Sequence, residues 1–124
     1  MDNRILITIG SLSLPASLQE NATAAAIYKA LPIEGQVNRW GEEIYFSIPV
    51  QVPEAEDARE IMGVGELGYW PSGNAFCIFF GPTPVSHGDE PRAYSNVNPF
   101  GHVDGDATQL RDVMDGERIF ITKA

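Results

Sequence analysis

The sequence predicts a mainly β domain, a closed barrel with two short helices at its ends. Three observations carry this. Strand-like stretches dominate the chain, the helical ones are short and far apart, and no βαβ alternation occurs, which argues against a doubly wound sheet. A chain of 124 residues reads as one domain, residues 1–124, long enough to bury a single core.

The elements follow in order. RILITI (Arg4 to Ile9) is an apolar, isoleucine-rich run and reads as a strand. LSLPASL continues as a second strand, kinked or placed at an edge by Pro15. Asn21 is a good N-cap before an alanine-rich stretch, and Pro32 forces Leu31 out of helical dihedrals, so a helix is expected at about 22–30. IEGQVNRW and EEIYFSIPV read as a hairpin about Gly41. In its second strand Ile44, Phe46 and Ile48 share one face and Glu43, Tyr45 and Ser47 the other. A loop bounded by Pro49 and Pro53 runs to about Gly65. ELGYW is a short strand, PSG a turn, and NAFCIFF a strand buried on both faces. GPTPVSHGDEPRAYS reads as a long loop and VNPFGHV as a strand. DATQLRDVM has Asp106 as N-cap and Gln109 in the capping-box position, Asp115-Gly116 ends that helix, and ERIFIT is the last strand.

Charge narrows the partners. Seventeen acidic residues against eight basic give a net charge of −9, which repels phosphate backbones and anionic bilayers, so neither nucleic acid nor membrane is an expected partner. No apolar run reaches the roughly 18 residues of a membrane span, and the N-terminus lacks signal-peptide segments, which points to the cytoplasm. The single cysteine, Cys77, excludes an intrachain disulfide and sits in AFCIFF as a small buried hydrophobe.

Few motifs carry chemistry. GVGELG matches a dinucleotide fingerprint in letters, but a proline-bounded loop precedes it and no helix follows. His87, Asp89 and Glu90 in SHGDE read as a solvated loop, and His102 as a packed or edge histidine. Glu42 and Glu43 are adjacent, and adjacent strand residues point to opposite faces, so they do not form one acid/base pair. No metal and no cofactor are expected. What remains is the aromatic cluster Tyr69, Trp70, Phe76, Phe79 and Phe80. Phe76, Ile78 and Phe80 are expected in the core, with Cys77 and Phe79 on the opposite face. There Phe79, Tyr45 and Trp70 would line an apolar cleft rimmed by the 81–95 loop.

The stretches VNRWGEEIYFSIPV, GELGYWPSGNAFCIFFGPTPVS and NVNPFGHVDG resemble a family of small prokaryotic cyclophilin-like proteins of uncharacterised function. The resemblance spans nearly the whole chain. It implies a cyclophilin-type barrel of about eight antiparallel strands with one helix near each end. Cyclophilins proper are peptidyl-prolyl isomerases that bind substrate in a groove outside the barrel, where an arginine donates to the prolyl nitrogen as the amide twists. By that resemblance Arg39 stands roughly where the arginine would, and Phe79 lies on the strand that carries a pocket phenylalanine. The phenylalanine, methionine and glutamine stretch between those strands is replaced by Glu42 and Glu43, and the pocket tryptophan and histidine have no clear match.

The leading expectation is therefore a binding module holding a small molecule or an extended peptide in an aromatic cleft outside the barrel. Tyr45, Trp70 and Phe79 would form the cleft, and Arg39 and Asn98 would supply polar contacts. The alternatives are a prolyl isomerase using Arg39, an enzyme using a cleft carboxylate such as Glu43, and a homodimer interface formed by the same apolar cluster.

Overall fold

The computed structural model describes residues 3–124. The elements are β1 (Arg4–Ile9), β2 (Leu12–Leu18), α1 (Ala22–Ala30), β3 (Ile33–Gln36), β4 (Asn38–Arg39), β5 (Glu43–Ser47), β6 (Arg59–Ile61), β7 (Glu66–Trp70), β8 (Ala75–Phe79), β9 (Arg92–Val103), a 3-10 helix (Ala107–Asp112) and β10 (Arg118–Lys123). The architecture is mainly β and antiparallel, as expected, with two corrections. There are ten strands rather than about eight, and hydrogen bonding does not close the sheet into a barrel.

The strand order explains the second correction. It runs β3-β10-β1-β2-β9-β7-β8-β5-β4, with β6 paired to β9 off this path. The two end strands, β3 and β4, are consecutive pieces of one extended segment divided at Val37. β3 pairs with β10 and β4 pairs with β5, so the segment changes partner part-way along. At the break, the Val37 amide donates to the Glu117 carbonyl at 2.8 Å and its own carbonyl accepts from Gly116 at 2.8 Å. The covalent chain, not a ladder of hydrogen bonds, joins the two ends of the sheet.

Alternation along the strands builds the core inside this wrapped sheet. Ile5, Ile7 and Ile9 of β1, Ile44 and Phe46 of β5, Leu67 and Tyr69 of β7, Phe76 and Ile78 of β8, Phe80, Phe100 and Ile119 and Ile121 of β10 form one buried cluster. Phe46 stacks on Phe76 with ring centroids 5.2 Å apart, and Phe100 meets Phe76 edge-on at 5.1 Å. Each such ring contributes about 1.5–3 kcal/mol through burial alone. Gly35 and Gly101 are small for a reason. A Cβ on Gly35 would lie 2.8 Å from the Phe46 ring, and one on Gly101 would lie 2.5 Å from the Ser17 carbonyl oxygen.

The helix near the start forms where the sequence places it. The Asn21 side-chain oxygen accepts from the Ala24 amide at 2.8 Å, Ala24 and Ile27 are buried, and Leu31 is extended before Pro32. The second helix is a 3-10 helix ending at Asp112, shorter than the α-helix expected up to Asp115. Its buried residues, Ala107 and Leu110, are three apart, the spacing at which a 3-10 helix eclipses side chains. Asp106 caps it through the Thr108 amide, but Gln109 donates to the Asp106 carbonyl instead of closing a capping box.

Two further corrections bear on function. The loop expected to run to Gly65 contains β6, and the loop expected over 81–95 ends early because β9 begins at Arg92. β6 and the first half of β9 pair with each other and lie over the outer face of the sheet. Among the described residues, no helix is long and apolar enough to cross a membrane.

Candidate functional site

The outer face of β5, β8 and β7 carries the second apolar layer. Directly opposed residues of an antiparallel pair share a face. Glu43 opposes Phe79, Tyr45 opposes Cys77, Gly68 opposes Cys77, and Trp70 opposes Ala75. Glu43, Tyr45, Trp70, Cys77 and Phe79 therefore all leave the sheet on the side away from the main core. Gly68 has no side chain on that face, and Val97 of β9 fills the space: a Cβ there would meet Val97 at 2.8 Å. Met62, Ala75, Cys77, Phe79, Ala93 and Val97 close into a small buried cluster, with Tyr45 and Trp70 packed at its margin.

That margin is a pocket of about 200 Å³, with Trp40, Tyr45, Trp70 and Tyr94 as walls and Glu43, Cys77, Ala93 and Val97 completing it. Trp40 comes from the turn before β5, where Gly41 adopts a φ of +61°. The turn is held by Trp40 N–H to the Glu43 carbonyl at 3.0 Å and by Glu42 N–H to the Pro82 carbonyl at 2.9 Å. Trp70 is fixed from two sides. Its indole N–H donates to Ser95 Oγ at 2.6 Å, and Gly73 approaches so closely that a Cβ there would lie 2.6 Å from the ring. Tyr94, 71% exposed, stands between the two indoles and meets each nearly edge-on, with centroids 6.1 Å from Trp40 and 6.2 Å from Trp70. Tyr94 and Trp70 thus form a rim over a polar floor.

The floor is Glu43. Its side chain is 5% exposed, and Oε1 is the one fully buried side-chain oxygen without a hydrogen-bond partner among the described residues. Burial pushes its carboxyl up to about 8, and the neighbouring Cys77 thiol, which itself donates to the Ala75 carbonyl at 3.9 Å, pulls it partly back. The thiol is driven well above its ordinary range, by burial first and by Glu43 second, so it is no nucleophile near neutrality. Buried polar atoms are normally paired. The Glu43 Oε1 atom, at the bottom of an aromatic-walled pocket, is an exception to that rule.

Of the expected site residues, Glu43, Tyr45 and Trp70 meet here and three others do not. Phe79 is fully buried (0% exposed) in the second cluster beneath β9, because β9 starts at Arg92, five residues before the expected strand at Val97; it supports the pocket without lining it. Arg39 lies elsewhere. Its guanidinium donates to the carbonyls of Gly41 at 3.0 Å, Arg111 at 3.0 Å and Val113 at 2.6 Å, and sits 5.1 Å over the Phe80 ring. Neighbouring Glu42 pairs with Arg111 at 2.6 Å. Asn98 is wholly buried and structural. It accepts from the Ala55 amide and donates to Thr23 Oγ1 and the Pro53 carbonyl, pinning the 49–58 loop to β9. Asn98→Ala strands the Ala55 amide and should cost about 2 kcal/mol in chemical denaturation.

Two lining residues, Trp40 and Tyr94, lie outside the site the sequence predicts. Trp40 ends the IEGQVNRW strand pattern, three residues before Glu43 across a glycine turn. Tyr94 falls in the predicted 81–95 loop, and its place opposite Trp70 depends on the long strand β9. The SHGDE segment is a turn organised by Glu90, whose carboxylate accepts from the His87 and Gly88 amides at 2.8 Å each. GVGELG leads into β7 rather than a helix. Its Gly65 amide donates to the Phe79 carbonyl at 2.7 Å. Among the described residues no group of three or more His, Cys, Asp or Glu is set to hold a metal ion.

The comparisons agree with this architecture. A family model described as Cyclophilin-like matches residues 3–122. The solution structure of a hypothetical protein from Archaeoglobus fulgidus is 36% identical, with a TM-score of 0.83, covering 99% of this chain and 95% of that one. No curated protein matches the chain.

Proposed function

The chain belongs to the cyclophilin-like family, and from that premise we propose that it is a ligand-binding protein whose site is the pocket among Trp40, Glu43, Tyr45, Trp70 and Tyr94. The observation that carries the reading is the unpartnered, buried carboxyl oxygen of Glu43 beneath four aromatic side chains. An apolar pocket with few, well-placed polar groups is the usual form of a small-molecule site. At about 200 Å³ it is smaller than the roughly 300–1,000 Å³ of drug-sized sites, so it suits a small molecule or one side group of a peptide.

A prolyl isomerase is the weaker reading. It needs an arginine free to donate to a twisting amide, and three carbonyls already occupy Arg39. Enzymatic use of Glu43 lacks a second reactive group, since the Cys77 thiol beside it is held protonated.

The test is thermal. A ligand present at a hundred times its dissociation constant stabilises the native state by about 2.7 kcal/mol. A screen of small-molecule fragments should yield compounds that raise the melting temperature of the wild type. Trp70→Ala should abolish the shift, and Phe120→Ala, outside the pocket, should retain it. Hits that act equally on Trp70→Ala would place binding elsewhere.

A further inference from the structure

Resting on the pocket reading above, we infer that the class of ligand is an organic cation: an alkylated ammonium group that keeps at least one N–H, with its alkyl groups against the indoles and its N–H on Glu43 Oε1.

Three features select this class. The first is the walls. Trp40, Tyr45, Trp70 and Tyr94 contribute four rings, two of them indoles, and aromatic faces attract cations and repel the lone pairs of a neutral acceptor. The second is the floor. Oε1 is buried and unpartnered, and a donor from the ligand satisfies it. The third is charge. No Lys, Arg or His lines the pocket, and a net charge of −9 steers cations toward the molecule. The groups lining the pocket that can also exchange a proton are Tyr45 beside Glu43 on β5, Cys77 on β8 and Tyr94 on β9, and none of them is positively charged.

This assignment brings a proton into the equilibrium. With an empty pocket the Glu43 carboxyl holds its proton up to about pH 8. A cation needs the carboxylate, so binding at pH 7 expels a proton. The affinity therefore rises with pH, approaching tenfold per unit, and levels off above about 8. A neutral ligand that accepts a hydrogen bond from the acid behaves in the opposite way and weakens above the same pH.

Three probes of nearly the same shape separate the possibilities: trimethylammonium, with charge and N–H; tetramethylammonium, with charge alone; and tert-butanol, with neither charge nor N–H. Their binding is followed by the indole N–H resonances of Trp40 and Trp70, and proton release by calorimetry in buffers of different ionisation enthalpy. Trimethylammonium should bind at least tenfold more tightly than tert-butanol and several-fold more tightly than tetramethylammonium, with release of close to one proton at pH 7. Glu43→Gln should abolish proton release and shrink the preference of trimethylammonium over tetramethylammonium, while the rings retain weak binding of both cations. Equal binding of tert-butanol, or no proton release, would overturn the cation assignment and leave the pocket reading standing. No movement of either indole with any probe, together with a failed fragment screen, would remove both. Dimethyl-lysine as the free blocked amino acid and within a short peptide, compared in the same assay, distinguishes a metabolite amine from a modified protein as the source.

Discussion

Glu43→Gln should remove a large pH dependence of stability. The ordinary value for this carboxyl is 4.5, and burial raises it in the native state to about 8. The sign follows from the proton count. Below pH 4.5 both native and unfolded states hold the proton, and ionisation carries no penalty. Between 4.5 and 8 the unfolded state ionises while the native state keeps its proton, so rising pH favours unfolding by about 1.4 kcal/mol per unit. Above 8 both are ionised and the loss is complete. The roughly 3.5 units between these values give about 5 kcal/mol in all, a large part of a small domain's stability. Glutamine fills the same volume and has nothing to ionise. The variant should therefore gain on the wild type steadily from pH 4.5 to 8 in urea titrations and hold a constant lead above that. Glu66, Glu90 and Asp106 are lowered in the native state and act with the opposite sign, losing their stabilisation as pH falls. They are common to both proteins, so the difference between the two curves isolates Glu43.

Phe76→Ala should change stability by about as much in the opposite direction, for a different reason. Phe76 is fully buried in the main core, between the stacked ring of Phe46 and the edge-on ring of Phe100. Truncation removes its transfer energy and leaves a cavity whose walls belong to β5 and β9 and cannot close without moving the sheet. The expected loss is about 3–5 kcal/mol. It should appear in chemical denaturation at every pH, whereas the Glu43→Gln effect is confined to a window. The two variants thus separate the inner layer, which holds the fold, from the outer layer, which carries the proposed site.

The inner layer was largely legible in the sequence. RILITI, EIYFSI and NAFCIFF alternate or run apolar over strand lengths, and the 22–30 helix carries its cap and its stop in Asn21 and Pro32. Local chemistry decides these elements. The outer layer was only half legible. Glu43, Tyr45 and Trp70 share a face by simple alternation, so their grouping could be read. Trp40 could not, because its position depends on how the turn at Gly41 is clamped to Pro82. Tyr94 and the burial of Phe79 depend on β6 and the first half of β9, a pairing between segments about thirty residues apart with a shift in register. No window of sequence contains that pairing. The position of Arg39 is not legible locally, because its three carbonyl partners include Arg111 and Val113, from the far end of the chain. The open end of the sheet at Val37 was hidden for a similar reason: IEGQVNRW is continuous as a strand pattern, and only the competition between β10 and β5 for its edge divides it.

The most direct measurement is the side-chain carboxyl carbon resonance of Glu43, followed against pH in the free protein and against fragment concentration at pH 7. The account predicts a midpoint near 8, and a displacement of the resonance by fragments that also move the Trp70 indole. A midpoint near the ordinary 4.5, in a resonance that no fragment displaces, would contradict it, because Glu43 would then be a solvated carboxylate and not the floor of a binding pocket.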